Sequence, residues 1–434
     1  MILMGNMGKL KHWLAANKAA QGGLLAAFIL VTAGAVYGMD KSVVAFLLLL
    51  ASLLLLYFTS FSNKIKWMAA GLLLIIIIPF ATSGGSSYEA YMEVASQCGI
   101  YVAMALGLNI VVGFAGLLDM GFVAFFAVGA YTYGIFATGQ ANNFISGDMF
   151  PLSGGYFWIF ILLGGFMAGI FGILLGLPVL RVKGDYLAIV TLGFGEIIRI
   201  IFNNLEKPVN ITNGAMGLSS IQPPNLFGFQ FTFPHQFYFI VLLILGVVIF
   251  AVRRLEYSRL GRSWKAVREN EIAAQSMGIP LIRTKLTAFA IGASFSGMMG
   301  VVFAAKQTFI DPTSFTLIES TTILVMVVLG GMGSVPGVIL GASLVTILNL
   351  QVLTELTNWL NQLSSRGVIQ VPDALSPSKM QRLIFGLILI LVAVFRPNGL
   401  IRAKNRKVQL DQTDRSVKPN PISGQASGAS SVNE

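Results

Sequence analysis

A few charged side chains lie in or beside the apolar stretches of this sequence, and they are the first candidates for chemistry. They are Asp119, Glu196, Arg199, Lys306 and Glu319. A charge inside a membrane costs free energy, so such residues often mark a substrate or ion pathway. They do not form the relay of carboxylates that a proton-coupled pump usually needs.

These charges also have structural explanations. Asp119 follows a glycine-rich break, where capping of a restarted helix explains it as well as a place along a path. Glu196 and Arg199 are spaced to neutralise each other on one helix. Lys306 and Glu319 fit the outer membrane interface. Both kinds of explanation remain open.

Motifs for nucleotide, metal and nucleophile chemistry are absent from the sequence. It contains no G-x-x-x-x-G-K-[ST], no H-E-x-x-H, no nucleophile elbow and no Cys/His cluster, and its single cysteine, Cys98, lies in an apolar stretch. We therefore expect no P-loop ATP site, no metal, no resident cofactor and no enzymatic activity in this chain.

The composition is that of a membrane protein. Of 434 residues, 55% are hydrophobic and 11% are charged, whereas soluble domains carry about 25% charged residues. A span needs roughly 20 apolar residues. Candidate spans lie near 22–39, 43–61, 67–82, 94–113, 120–138, 156–178, 186–204, 236–252, 286–304, 316–332, 335–352 and 381–396. The predicted fold is an all-α polytopic bundle with about 10–12 spans, some broken or re-entrant.

Two glycine-rich runs interrupt apolar regions, one from Val111 to Tyr131 and one from Gly330 to Ala342. Broken helices at membrane depth are tolerated where they face protein or a water-filled cavity. Asn109, beside the first run, is expected either to bond another helix or to line a path. The candidates for path lining or helix breaks are Asn109, Gly113, Gly116, Asp119, Gly121, Gly330, Gly331 and Gly333.

Basic residues predict the orientation. The segments 1–18, 63–66, 179–185, 253–285 and 396–434 hold most of the 29 Lys and Arg and are predicted to be cytoplasmic, as are both termini. The outer loops are then 139–155, 205–235 and 353–380. This distribution makes the net charge of +11 a topology signal, so no nucleic-acid partner is expected.

The longest polar segment between apolar ones runs from Arg253 to Lys285 and holds eight of the basic residues. Its middle predicts one helix over Lys265–Met277, with Ser263 as N-cap and Gly278 as the stop. On a helical wheel, one side is shallow and mostly small or apolar. That side comprises Ala266, Val267, Asn270, Ala273, Ala274 and Met277, with Ile272 as a misfit. Such a helix either docks into a groove on another protein or lies on its own protein.

Several motifs, in a consistent order over about residues 90–402, resemble one protein family. They are GLNIVVGFAGLLDMGFVAFFAVGAY, GDYLAIVTLGFGEIIR, GRSWKAVRENEIAAQSMGI, VLGGMGSVPGVILGA and FRPNGLI. Together they resemble the permease subunits of bacterial branched-chain amino acid ABC importers, especially the M-type subunit of the leucine/isoleucine/valine system. The spans before residue 90 also resemble the longer M-type subunits.

The resemblance implies an importer with several protein parts. This chain and an H-type permease would form the membrane path, two cytoplasmic ATPases holding ATP–Mg would drive it, and a periplasmic protein would deliver leucine, isoleucine or valine. It implies a bacterial inner-membrane location. The domains would be 1–90, an extension with about three spans; 91–402, the permease core; and 403–434, a disordered cytoplasmic tail.

The resemblance also implies a role for the polar segment in coupling to the ATPase. The family motif is E-A-A followed by a glycine, and here an isoleucine separates Glu271 from the alanine pair. The candidate coupling residues are Glu269, Glu271, Ala273, Ala274 and Gly278. The alternatives are a urea or short-amide permease of the same family, an ion-coupled secondary carrier, and a membrane scaffold without transport.

The orientation is testable by labelling. In a Cys98→Ser background, Asn225→Cys and Arg262→Cys lie in segments predicted on opposite sides of the membrane. We expect a membrane-impermeant maleimide to label Asn225→Cys in intact spheroplasts and Arg262→Cys only after permeabilisation. Labelling of both from the outside would overturn the predicted topology.

Overall fold

The computed structural model describes most of the chain as α-helix. The described residues are 18–38, 43–59, 61–84, 88–145, 149–179, 182, 185–366, 377, 379–396 and 399–401. The predicted tail at 403–434 lies outside them, so its disorder stays a prediction. Residues 1–17 and parts of the predicted loops 139–155, 179–185 and 353–380 also lie outside.

The N-terminal part contains α1 (Lys18–Gly38), α2 (Val43–Phe58) and a third helical stretch. That stretch consists of α3 (Asn63–Leu72), a π-helical segment (Leu73–Ile77) and α4 (Ile78–Thr82). These ranges lie where about three helices are predicted. The assignment of 1–90 as a separate extension stays a prediction.

The remaining described helices form the larger part of the bundle. They are α5 (Tyr88–Leu108), a π segment (Asn109–Phe114), α6 (Val123–Gly134), α7 (Phe157–Val179), α8 (Asp185–Asn204), α9 (Pro234–Tyr257), α10 (Arg259–Glu269), α11 (Glu271–Ser276), α12 (Leu281–Gln307), α13 (Leu317–Gly330), α14 (Val335–Ile347), a π segment (Leu348–Val352), α15 (Leu353–Ser365) and α16 (Gln381–Phe395).

Two short strand pairs lie in the described connections. β1 (Leu218–Ser219) pairs antiparallel with β4 (Phe309–Ile310), and β2 (Asn225–Leu226) pairs antiparallel with β3 (Phe229–Gln230). In the described part of the chain, these two-residue pairs are the sheet structure. The all-α class predicted from composition is confirmed.

Eight helices in the described residues are long and apolar enough to cross a membrane. Shorter apolar helices include α6 and α13, with 12 and 14 residues, and each is too short for a full span of roughly 20 residues. Both adjoin a predicted glycine-rich break. The prediction that some spans are broken is therefore confirmed.

Glycine lets α7 and α12 approach closely. A β-carbon at Gly172 would lie 2.8 Å from the carbonyl oxygen of Phe289, and one at Gly169 would lie 2.7 Å from the hydroxyl of Ser294. Such close backbone approach is how helices associate in lipid, where no hydrophobic effect drives them together. This contact fixes α12 within the bundle. The polar segment leads into the first turn of α12.

The predicted outer loop at 353–380 is helical in its first part, and its place outside the membrane stays a prediction. The helix that begins at Val335 continues through the π segment and α15 to Ser365. Its last part keeps a helical apolar spacing, with leucines at Leu353, Leu356, Leu360 and Leu363. This spacing keeps the segment helical although its other residues are polar.

Candidate functional site

The first break begins where α5 changes to a π-helical turn at Asn109–Phe114. The chain then leaves the helix through Gly116, whose φ is 71°. Backbone N–H groups of Ala115 and Leu117 donate to the carbonyls of Ile110 and Val111 at 3.1 and 3.0 Å. The exit from the helix thus satisfies some of its own backbone groups, as membrane depth requires.

The second break meets the first directly. Asn109 Oδ1 accepts a hydrogen bond from the backbone N–H of Gly333 at 2.8 Å, and Asn109 is fully buried. Gly331 and Gly333 have φ values of 116° and 84°, in the left-handed region that favours glycine. Of the two roles open for Asn109, the structure shows a bond to another part of the chain, the turn between α13 and α14.

Glycine is required on both sides of this junction. A β-carbon at Gly113 would collide with Asn109 Oδ1 and with the Gly333 nitrogen. A β-carbon at Gly330 would collide with the carbonyl of Gly337. The sequence predicted the glycines of the two runs as separate breaks, whereas the structure joins them at Asn109. We call Asn109, Gly113 and Gly333 the break junction.

Asp119 is buried beside the start of α6. Its Oδ1 accepts from the N–H of Gly121 at 2.9 Å, while the N–H of Met120 donates to the Thr191 hydroxyl at 3.0 Å. Oδ2 has no hydrogen-bond partner in the described residues. The predicted N-cap role is wrong, because Phe122 is the residue before α6. Asp119 instead holds the turn two residues on, as aspartates do in Asx-turns.

The polar segment is two helices, not the single helix predicted over Lys265–Met277. α10 begins after Ser258, whose hydroxyl accepts from the N–H of Gly261, so Ser263 is not the N-cap. α11 begins after Asn270, whose side chain accepts from the N–H of Ala273. Asparagine competes with the helix for backbone N–H groups, which explains the break. The end at Gly278 is as predicted, with φ of 81°.

The break at Asn270 changes which residues face outward. Ala274 is buried against its own chain, whereas Ile272 and Met277 are 76% and 83% exposed. The predicted stripe is therefore wrong: Ile272 belongs to the outward face and Ala274 does not. Ala273, Gly278 and Glu269 are also exposed. We call Ile272, Ala273 and Met277 the outward face.

The other face of these helices lies on the bundle. Trp264 is fully buried, and its indole N–H donates to the Thr284 carbonyl at 2.9 Å. Glu271 accepts from Lys285 at 2.7 Å. The interpretation that the segment lies on its own protein is confirmed for this face, and docking of the exposed face on another protein stays a prediction. Trp264 was missed as an anchor, although a tryptophan in a polar segment is a usable signal.

Arg268 joins the polar segment to the break junction. Its Nη1 donates to the carbonyl of Gly113. Its side chain also lies over Gly116, where a β-carbon would be 2.7 Å from Arg268 Cγ. The Lys265 ammonium lies 5.4 Å from the Phe114 ring centroid. Arg268 is also exposed, and sequence spacing alone does not show its contact with a residue 155 positions away.

The remaining charges in spans have partners within the chain. Arg199 Nε donates to Glu196 at 3.0 Å, as expected from their spacing. Lys306 Nζ contacts Glu93 Oε1 at 2.7 Å, and the Tyr101 hydroxyl donates to Glu319 at 3.0 Å. In the residues that the structure describes, no three His, Cys, Asp or Glu side chains are grouped to hold a metal ion.

Comparison with known families identifies the family of this chain. A family model described as "Branched-chain amino acid transport system / permease component" matches residues 90–393. The chain belongs to this family. The resemblance drawn from the sequence motifs is confirmed, and with it the prediction of a transport component rather than an enzyme. Together with its apolar helices, membership makes this family member a multi-pass membrane protein.

Named relatives agree. The chain is 39% identical over 368 residues to the high-affinity branched-chain amino acid transport system permease protein LivM of Escherichia coli (strain K12), covering 79% of this chain and 76% of that protein. A probable branched-chain amino acid transport permease protein LivM of Methanocaldococcus jannaschii is 27% identical, covering 70% and 91%.

A more distant relative carries a different name. The autoinducer 2 import system permease protein LsrC of Escherichia coli O9:H4 is 25% identical, covering 85% of this chain and 96% of that protein. No solved structure matches the chain. Relatives of the chain are therefore named for different substrates.

The role of Asp119 is testable by two substitutions. Asp119→Asn keeps the oxygen that accepts from Gly121, so we expect it to retain most transport. Asp119→Leu removes that acceptor and should cost roughly 1 kcal/mol or more of stability, measured by thermal denaturation in detergent. Loss of transport in both variants, with both stably inserted in the membrane, would show that the charge itself is needed.

Proposed function

We propose that this chain is the M-type permease subunit of an ATP-driven ABC importer that carries leucine, isoleucine and valine across the bacterial inner membrane. The observation that carries the proposal is the match to LivM, at 39% identity over most of both chains. The geometry supports the proposal. The partly exposed helices α10 and α11 contact a helix break in the bundle, and an ATPase that acts from outside the membrane needs such a contact.

The partner proteins are inferred from the functions that this chain does not supply by itself. Since the sequence has no P-loop, ATP and Mg²⁺ are held by two separate ATPase subunits. An H-type permease supplies the other half of the path, and a periplasmic binding protein delivers the amino acid. Both termini of this chain lie in the cytoplasm, as the basic residues indicate.

Coupling runs from the outward face to the break junction. Ile272, Ala273 and Met277 fill a groove on an ATPase, with Glu269 and Gly278 at the edge of the contact. When the ATPases close on nucleotide they move α10 and α11, and Arg268 transmits that movement to Gly113. Asn109 then carries it to Gly333, so that both breaks shift together. Movement of one packed element past another is a common form of such switching.

Glu271 and Ala274 have a supporting role in this proposal. Glu271 is bonded to Lys285 at the start of α12, and Ala274 is buried beneath the outward face. They hold α11 at a fixed angle to the bundle. The ATPase meets the residues that they position.

Reconstitution tests the function. The chain is purified with its genomic neighbours and placed in proteoliposomes with the binding protein. We expect leucine uptake only when ATP and the binding protein are both present. Preference for urea, a short amide or autoinducer 2 over leucine would reassign the substrate. Uptake by this chain alone on a proton or sodium gradient would instead establish a secondary carrier.

Coupling is testable by charge placement on α11. Ile272→Glu and Met277→Glu put an unpaired charge on the outward face, where burial costs several kcal/mol, so both should lose ATPase co-purification and uptake together. Gln275→Glu is the matched control on the same helix and should retain both. Arg268→Met should keep the ATPase but lose uptake, whereas Arg262→Met should keep both.

Wild-type uptake and ATPase binding in Ile272→Glu and Met277→Glu would show that this face does not meet the ATPase. Wild-type uptake in Arg268→Met would show that the contact with Gly113 does not transmit movement. Membrane insertion is measured on the same preparations, and it should be normal in all five variants because all five residues are exposed on the polar segment.

A further inference from the structure

A row of polar side chains runs along α5 at the end opposite to the polar segment. Glu93, Gln97 and Tyr101 recur every fourth residue, so they share one face of the helix. All three are partly accessible, although most of the span Tyr88–Phe114 is buried. We call these three residues the polar stripe.

Side chains from two other helices complete the stripe. From the end of α12, Lys306 Nζ contacts Glu93 Oε1 at 2.7 Å and Gln97 Oε1 at 3.2 Å. From the first turn of α13, Glu319 accepts from the Tyr101 hydroxyl at 3.0 Å. Gln97 also interacts with the Tyr101 hydroxyl. The result is one continuous row: carboxylate, ammonium, amide, hydroxyl, carboxylate.

The charges in this row do not balance. Lys306 has a side chain that is only 2% exposed and is committed to Glu93. Glu319 has no cationic partner among the described residues, and its carboxylate accepts a hydrogen bond from Tyr101. A partly buried carboxylate without a counter-charge is costly. The row therefore lacks one positive group, beside Tyr101 and Glu319.

A structural role does not account for Glu319 fully. An acidic residue in the first turn of a helix is favoured by the helix dipole, and Glu319 lies in the first turn of α13. However, its carboxylate turns to Tyr101 on another helix, and no backbone N–H of the described residues donates to it. The stripe is also accessible, and polar groups at membrane depth face protein or water rather than lipid.

We propose that the polar stripe lines the path and that Tyr101 and Glu319 receive the α-ammonium group of the transported amino acid. The inference rests on the proposed function, and it names the residues that contact the transported amino acid. The α-carboxylate then lies toward the amide of Gln97, about one helical turn along α5. A carboxylate at one end of the site and an amide donor at the other match the two charged groups of a zwitterion, and the aliphatic side chain needs no specific partner.

Direct binding tests the site without relying on transport. The intact permease–ATPase complex is placed in nanodiscs without the binding protein, and bound radiolabelled leucine is measured. Isoamylamine, which keeps the ammonium group, should compete, whereas isocaproate, which keeps only the carboxylate, should compete poorly. Competition by isocaproate alone would overturn the proposal.

Variants test whether Glu319 and Tyr101 contact the ammonium group of leucine. Glu319→Gln should weaken leucine binding by roughly ten- to a hundredfold, as expected for a hydrogen bond to a charged group. Glu319→Asp should recover part of that loss, and Tyr101→Phe should weaken binding less than Glu319→Gln does. Glu355→Gln, an exposed carboxylate on α15, is the matched control and should bind as wild type.

Two further measurements distinguish failure of this site from failure of the proposed function. Replacing Na⁺ by N-methylglucamine should leave leucine binding unchanged, and a requirement for Na⁺ would assign Glu319 to an inorganic cation instead. Wild-type leucine binding in a well-assembled Glu319→Gln complex would reject this site while leaving the proposed function intact. Failure of the wild-type importer to take up leucine with ATP and binding protein would reject the function itself.

Discussion

The organisation of this protein depends on one constraint: backbone N–H and carbonyl groups at membrane depth need partners inside the protein. Helices meet this need along their length, but the two glycine-rich breaks do not. The chain resolves the problem by placing the breaks together, with Asn109 Oδ1 accepting from Gly333 and Arg268 donating to the Gly113 carbonyl. Backbone groups that lose their helical partners at a break therefore find partners in other parts of the fold. As a result, hydrogen bonds link the two irregular segments to each other and to the polar segment.

Sequence patterns predicted much of this fold, because the membrane imposes strong and simple rules. Long apolar stretches predicted the spans, and the glycine runs predicted the interruptions. The helix stop at Gly278 followed from local preference. In the polar segment, the predictions that were wrong are those that a single residue decides. Asn270 divides the polar segment into two helices, and this turns Ala274 inward and Ile272 outward.

The candidate site was less predictable because its contacts join distant parts of the chain. Glycines and Asn109 could be named, but not the bond from Asn109 to a residue 224 positions away. Arg268 and Lys306 are ordinary basic residues by sequence. Their roles come from the carbonyl and carboxylate that the fold places beside them, and no local periodicity contains that information.

α5 and its π turn connect all of these features. The span Tyr88–Phe114 has 27 residues, or about 40 Å if helical throughout, which is enough to cross the whole hydrocarbon layer. One end carries the polar stripe, and the other carries Asn109 and Gly113. A helix this deeply buried transmits displacement along its axis more readily than it bends, because its neighbours are close-packed. Under the proposed coupling, a movement received at Gly113 from Arg268 reaches Tyr101 through this single element. In the proposed importer, the π turn is the place where that movement is absorbed or passed on, since its wider turn is the least regular part of the helix.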